Sequence, residues 1–161
     1  MLDREQGSFR QRHLEVAHLD FPESGLCLSL EQTAGEEHAA ETMQSAVWSA
    51  GVALARAMGD PAVFPKGYWN GLHCIELGAG CGAVGLMAGK LGAQRVLLTD
   101  YPELLPLLSR NATRNGLAER VLTSPLEWGE ASAAALASMQ PAPCNVLLGG
   151  DITAFPQSLA K

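Results

Sequence analysis

A short glycine-rich stretch has the residue types of a ligand-binding loop. It reads CIELGAGCGAVG over residues 74–85 and holds one carboxylate, Glu76. Residues 80–85 match G-x-G-x-x-G, the fingerprint of dinucleotide-binding loops. Read from Glu76, the same stretch is an acidic residue followed by G-x-G-x-G. The two registers point to different cofactors, and the glycines alone do not decide between them.

Two further carboxylates follow predicted strands. Asp100 comes 20 residues after Gly80, which is the spacing at which a carboxylate binds ribose hydroxyls in nucleotide sites. Asp151 follows Gly150 at the end of a later apolar run. Ligands of open α/β sheets bind beyond the carboxyl ends of the strands. We therefore expect the glycine loop and these two acids to meet at one edge of a sheet.

The charge of Glu76 separates the two registers. A pyrophosphate would lie on the N-terminus of the helix after the loop, where a neighbouring carboxylate is unfavourable. S-adenosylmethionine carries an α-ammonium and a sulfonium and has no phosphate, so it suits a Glu76 that points toward the ligand. In the alternative interpretation, Glu76 only caps backbone N–H groups of the loop.

Strand and helix patterns alternate along the chain from residue 73 onward. We predict strands at 73–77, 95–100, within 120–129 and at 144–151, and helices at 83–92, 102–116 and 130–140. Three of the strands are continuous hydrophobic runs, which is typical of a parallel sheet covered on both faces. The fold class predicted is therefore α/β, a Rossmann-like doubly wound parallel sheet.

The N-terminal part has a different pattern. Partly alternating apolar residues at 13–19, with Leu14 and Val16 on one face, and at 26–30 predict a β-hairpin. Helical spacing at 39–58 predicts an amphipathic helix that contains Trp48. We therefore divide the chain into an extension with the hairpin, residues 1–38, and a cofactor-binding domain, residues 39–161.

Composition excludes several classes of function. The chain has 161 residues, a formal net charge of −6 and a hydrophobic fraction of 47%. This charge argues against binding to nucleic acid through phosphate contacts, and no apolar run reaches the length of about 20 residues needed to span a membrane. The four cysteines and four histidines show no metal-ligand spacing. We predict a cytoplasmic, also nuclear, monomer without metal, nucleic acid or membrane partner.

The glycine loop and its surroundings resemble a known family. Residues 72–116, LHCIELGAGCGAVGLMAGKLGAQRVLLTDYPELLPLLSRNATRNG, are very similar to the cofactor core of the seven-β-strand (class I) protein lysine methyltransferases. This family uses S-adenosyl-L-methionine and includes the chaperone, calmodulin and elongation-factor lysine methyltransferases. ETMQSAVWSAGVALARAM, PLEWG and CNVLLGGDITAF resemble three further family segments in the same order. Together the four segments cover roughly residues 10–155.

The resemblance implies roles for individual residues around the cofactor. Trp48 is expected to close over the cofactor, and Gly78, Ala79 and Gly80 to approach its methionyl part. Asp100 is expected to bind the ribose, and Trp128 to lie beside the adenine. Gly150 is the small residue before the acid Asp151. With Glu76, these residues form the predicted cofactor-binding set. Two have alternative interpretations, since Trp48 has the spacing of a core residue and Trp128 that of a surface aromatic packed under a loop.

The resemblance also implies a lysine side chain of a protein as substrate, with chaperones, calmodulin and translation factors as candidates. Asp151 is then the predicted catalytic residue, which orients the amine or accepts its proton. Its aromatic partner Phe155 follows four residues later, whereas the family has an aromatic three residues later. The family sheet continues with three more strands, so we expect C-terminal strands to be missing. The alternative function is a truncated, inactive module that binds cofactor or a partner, and a dinucleotide oxidoreductase comes third.

Overall fold

The computed structural model describes residues 15–32, 45–129 and 143–150, with the single residues 134 and 152. Their elements, in chain order, are β1 (Val16–Phe21), β2 (Leu26–Glu31), α1 (Ser49–Gly59), β3 (His73–Leu77), α2 (Ala83–Lys90), β4 (Arg95–Asp100), a 3-10 turn (Pro102–Leu104), α3 (Leu105–Arg114), β5 (Val121–Pro125) and β6 (Val146–Leu148). Apart from residue 134, the helix predicted at 130–140 lies outside the described residues, as does Asp151.

The described part of the chain holds a parallel sheet of four strands in the order β5-β4-β3-β6. Ile75 at its centre pairs with Leu97 on one side and Leu147 on the other. All three pairings are parallel, so the carboxyl ends of the strands lie along one edge. The prediction of an α/β fold with a doubly wound parallel sheet is confirmed.

Helix α2 packs directly on this sheet. Its residues are apolar on every side and all are buried except Lys90, which is the pattern of a helix enclosed by the core. A Cβ on Gly85 would collide with the Leu98 side chain and would stand 2.7 Å from Glu76 Oε2. Gly85 is therefore the residue that allows the helix to approach the strands so closely.

The hairpin β1–β2 packs on the same core. Leu28 and Leu30 face inward, as the alternation predicts, together with Ala17, Leu19 and Phe21. The first strand was predicted at 13–19 and ends later, at Phe21. The turn begins after Phe21, whose carbonyl accepts from Ser24 and Gly25. The inward face of β1 thus starts at Ala17 and excludes Val16, which is half-buried; Leu14 lies outside the described residues.

The helix predicted at 39–58 begins only at Ser49, and Trp48 is its N-cap in an extended conformation. Residues 39–44 lie outside the described residues. The segment before the helix is held by tertiary contacts, because the Val47 amide donates to the Gln32 side chain at 3.0 Å. Those contacts override the local helical spacing.

Within the described residues, no helix has the length and apolar character to cross a bilayer.

The predicted helix at 102–116 is divided into the 3-10 turn and α3. Pro106 lies in the first turn of α3, where its missing N–H has no intrahelical partner to lose. Gly92 and Gly116, predicted to close α2 and α3, have φ of +109° and +71°. Both helices are therefore followed by a glycine that adopts the positive φ typical of a helix C-terminus.

The packing of α2 predicts opposite effects for two glycine substitutions. Gly85→Ala places a methyl group against Leu98 and Glu76 and should lower the free energy of unfolding by about 1–3 kcal/mol. Gly51→Ala, in the first turn of α1, meets nothing closer than Val84 at 3.8 Å and should be neutral or stabilising by up to about 1 kcal/mol. Urea unfolding of both variants measures the difference. Equal stability of the two would contradict this packing.

Candidate cofactor site

The glycine loop turns sharply between β3 and α2. Gly78, Gly80 and Gly82 have φ of +60°, +54° and +83°, values that side chains other than glycine rarely adopt. The Gly82 amide donates to the Ala79 carbonyl at 2.7 Å, and the Ala79 amide donates to the Thr99 carbonyl at 3.0 Å. The alternating glycines are therefore required by the backbone conformation.

Asp100 lies at the end of β4 and reaches across to the loop. Its Oδ2 accepts from the Gly80 amide at 2.7 Å, and its Oδ1 accepts from the Tyr101 amide at 2.8 Å. The residue is only 8% exposed, and burial raises the pKa of its carboxyl group, against the lowering effect of the two amides. Each oxygen retains a lone pair, so the carboxylate can still accept hydrogen bonds from a ligand hydroxyl.

Glu76 points under the loop into the space between β3 and α2. Its Oε2 accepts from the Gly85 amide at 2.8 Å, and the residue is 2% exposed. Burial raises its pKa to about 8, which the amides of Gly85 and Val84 oppose and the nearby charge of Asp100 reinforces. This is the geometry of the capping interpretation. Any effect of Glu76 on a ligand therefore passes through the loop and the helix that it anchors.

Helix α2 consequently differs from the helix of a pyrophosphate site. The free amides at a helix N-terminus are the groups that hold a pyrophosphate. In α2 the amides of Val84 and Gly85 already have a carboxylate partner from the same chain. A second anion there would find those amides occupied and would oppose ionisation of Glu76 further, whereas a cation above the loop would be attracted to Asp100.

Trp128 lies against the loop from the side of β5. A Cβ built on Gly78 would stand 3.2 Å from its Cζ2 and 3.8 Å from the side chain of Ile152. The indole is half-buried. The structure thus brings Trp128, from the segment after β5, to the start of the glycine loop.

Gly150 lies beyond the end of β6. A Cβ there would stand 3.0 Å from the Gly51 Cα and 3.1 Å from the Val84 side chain. A small residue is therefore required for α1 to cross over the end of β6. This crossing brings the start of α1, and Trp48 just before it, to the edge of the sheet where the loop lies.

The segment that carries Trp48 is also tied to the loop directly. The Cys81 thiol donates to the Ser45 carbonyl at 2.8 Å. Burial raises the pKa of this thiol, which therefore stays protonated and able to donate. Trp48 itself is half-buried, so it is not a fully enclosed core residue.

The contacts of Cys81 and Asn111 were not foreseen from the sequence. Asn111 of α3 donates to the Cys81 carbonyl at 3.0 Å and is fully buried. One signal was available, since Asn111 and Asn115 stand one helical turn apart on an otherwise apolar face of α3. Within the described part of the chain, no three His, Cys, Asp or Glu side chains are grouped as a metal site.

Comparisons with known proteins find relatives over most of the chain. A family model described as "Lysine methyltransferase" matches residues 27–160. Protein N-lysine methyltransferase METTL21A of Mus musculus is 34% identical over 109 residues, which are 66% of this chain and 46% of the relative. EEF1A lysine methyltransferase 3 of Xenopus tropicalis is 36% identical over 75 residues, 42% of this chain and 33% of the relative. The chain therefore spans less than half the length of these relatives.

One solved structure shows the same fold. It is a 16S rRNA methyltransferase (RsmC) of T. Thermophilus in complex with AdoMet and Guanosine. The TM-score is 0.56 at 18% identity, over 83% of this chain and 32% of that chain. The class I methyltransferase arrangement of sheet and helices is thus supported by structural similarity as well as by sequence.

The buried carboxyl of Glu76 predicts a pH dependence of stability. Its folded pKa of about 8 lies above the ordinary value of 4.5, so between these values the folded chain holds the proton more tightly than the unfolded chain. Stability should therefore fall as the pH rises from about 5 to about 8. Glu76→Gln keeps an acceptor for the Gly85 amide and removes this contribution. Thermal unfolding of both proteins across this range should give a flatter profile for the variant, and parallel profiles would refute the assignment.

Proposed function

Because this chain belongs to the lysine methyltransferase family, we propose that it binds S-adenosylmethionine and transfers its methyl group to a lysine side chain of a protein. The observation that carries the cofactor half is the Glu76 carboxylate on the amides of α2, under a glycine loop. It disfavours a diphosphate at this edge of the sheet, because an amide that would bind the diphosphate is already occupied. The inactive module and the dinucleotide oxidoreductase are both less well supported.

The residues present fit this cofactor. Gly78 and Gly80 leave room for a ligand to approach the backbone, since neither has a Cβ. Asp100 offers carboxylate oxygens to ribose hydroxyls from the end of the neighbouring strand. Trp128 places its indole beside Gly78, where it would pack on the adenine. We assign Trp48 to the closing wall, Ala79 with the two loop glycines to the methionyl part, and Gly150 to the small residue before the acid Asp151.

The cofactor supplies an electrophilic methyl group on a sulfonium. The chain supplies alignment of the lysine amine with that methyl group, and exclusion of water. An apolar surrounding lowers the pKa of the amine and thereby favours its neutral, nucleophilic form. We propose that Asp151, directly after Gly150, orients this amine or accepts its proton. This role for Asp151 stays a prediction, since the residue lies outside the described part of the structure.

The class of substrate is proposed from the relatives. One of them is named as an EEF1A lysine methyltransferase, so translation elongation factors are the first substrates to test. Chaperones and calmodulin remain predictions from the resemblance. So do the monomeric state and the cytoplasmic and nuclear location.

Methyl transfer to a lysate tests the proposal. The purified chain, with S-adenosylmethionine labelled in its methyl group, should label protein from cells depleted of methylation, and mass spectrometry should place the label on lysine. Asp100→Asn should weaken cofactor binding by about tenfold or more, because it removes a charged acceptor. Asp151→Asn should preserve binding and lower transfer.

A matched control separates binding from a general loss of charge. Glu103→Gln removes an equal charge three residues from Asp100, at an exposed position. It should leave cofactor binding and transfer unchanged. Cofactor binding without transfer to any protein would favour the inactive module, and label on nucleic acid only would reject lysine as the acceptor.

A further inference from the structure

The outward edge of β2 is covered by the side-chain amides of Asn111, on α3, and of Asn115, the C-cap of α3. The Asn115 side chain accepts from the Ser29 amide at 3.0 Å and donates to the Ser29 carbonyl at 2.8 Å. The Asn111 side chain does the same for Glu31, at 2.7 Å and 3.0 Å. Four backbone groups that would otherwise form an open strand edge are thereby satisfied.

The spacing of helix and strand explains why this works. Four residues of α-helix rise by about 6 Å, at about 1.5 Å per residue. Two residues of strand rise by about 6.6–6.8 Å, at about 3.3–3.4 Å per residue. The distance between Asn111 and Asn115 therefore matches the distance between Ser29 and Glu31 on β2. The two side-chain amides thus make the hydrogen bonds that a neighbouring strand would make to the hairpin.

Only Asn111 continues this contact into the glycine loop. Its Nδ2 also donates to the Cys81 carbonyl at 3.0 Å, so both of its amide hydrogens have acceptors. The remaining bond of the Asn115 side chain goes to the Asn111 carbonyl, within its own helix. The two residues thus make equivalent hydrogen bonds to the hairpin, but Asn111 also binds the loop and Asn115 does not.

The position of Cys81 in the loop depends on two hydrogen bonds to other segments of the chain. Its carbonyl accepts from Asn111 and its thiol donates to Ser45, while the next residue, Gly82, is the N-cap of α2 at φ +83°. Loss of the Asn111 donor would leave a carbonyl of a buried residue without this partner, which is costly enough to shift the local conformation. The Gly80 amide that meets Asp100 lies one residue away.

We propose that Asn111 is a positioning residue that couples the docking of the hairpin to the conformation of the cofactor loop. Hairpin contacts at Glu31 hold the Asn111 amide, and the amide holds the Cys81 carbonyl. By linkage, a ligand that orders the loop also strengthens the docking of the hairpin. The inference rests on the proposed function only where cofactor binding is the readout.

Two matched substitutions test the coupling. Asn111→Ala and Asn115→Ala each remove two hydrogen bonds to β2 and one further bond, and both should lower the melting temperature. Only Asn111→Ala should speed hydrogen–deuterium exchange of the amides at 80–83. It should also weaken S-adenosylmethionine binding about fivefold more than Asn115→Ala, the effect of one lost hydrogen bond.

Equal exchange rates in the loop for the two variants would overturn the inference. Should the alanine variants fail to fold, the same exchange comparison in a stabilising osmolyte such as sucrose decides it. The exchange measurement needs no cofactor. Absence of cofactor binding by the unmodified chain would therefore reject the proposed function, while the exchange rates still decide the role of Asn111.

Discussion

The site depends on one buried interaction, the Glu76 carboxylate on the amides at the start of α2. It joins the central strand to the helix that packs on it. Gly85 makes the contact possible, because any side chain there would collide with Glu76 and Leu98. With strand and helix held this close, the loop between them has to reverse direction within a few residues. The positive φ angles of Gly78, Gly80 and Gly82 are the consequence.

The same interaction determines which ligand the loop favours. A buried carboxyl whose pKa is raised to about 8 is costly to ionise, so a nearby cation would stabilise its charged form. A phosphate would have the opposite effect and would compete for the same amides. Asp100 adds a second acidic group on the Gly80 amide. The fold is compatible with several cofactors, but these two acids make the edge of the sheet suited to a methyl donor.

The sequence predicted what depends on local pattern. Continuous apolar runs located the parallel strands, and the loop glycines located the turn. The capping role of Glu76 was an open alternative, because a ligand contact and a helix cap place an acid at the same position. The start of α1 was predicted too early, since the contact between Val47 and Gln32 joins distant parts of the chain. The double role of Asn111 depends likewise on the packing of β2 against α3.

The central claim is that this loop holds a cationic methyl donor and not a diphosphate. Titration calorimetry of the purified chain with S-adenosylmethionine and, separately, with NAD at neutral pH tests it most directly. The account predicts saturable binding of one S-adenosylmethionine per chain and no measurable binding of NAD. Saturable binding of NAD without binding of S-adenosylmethionine would contradict it, and would restore the G-x-G-x-x-G register at 80–85 as the functional one.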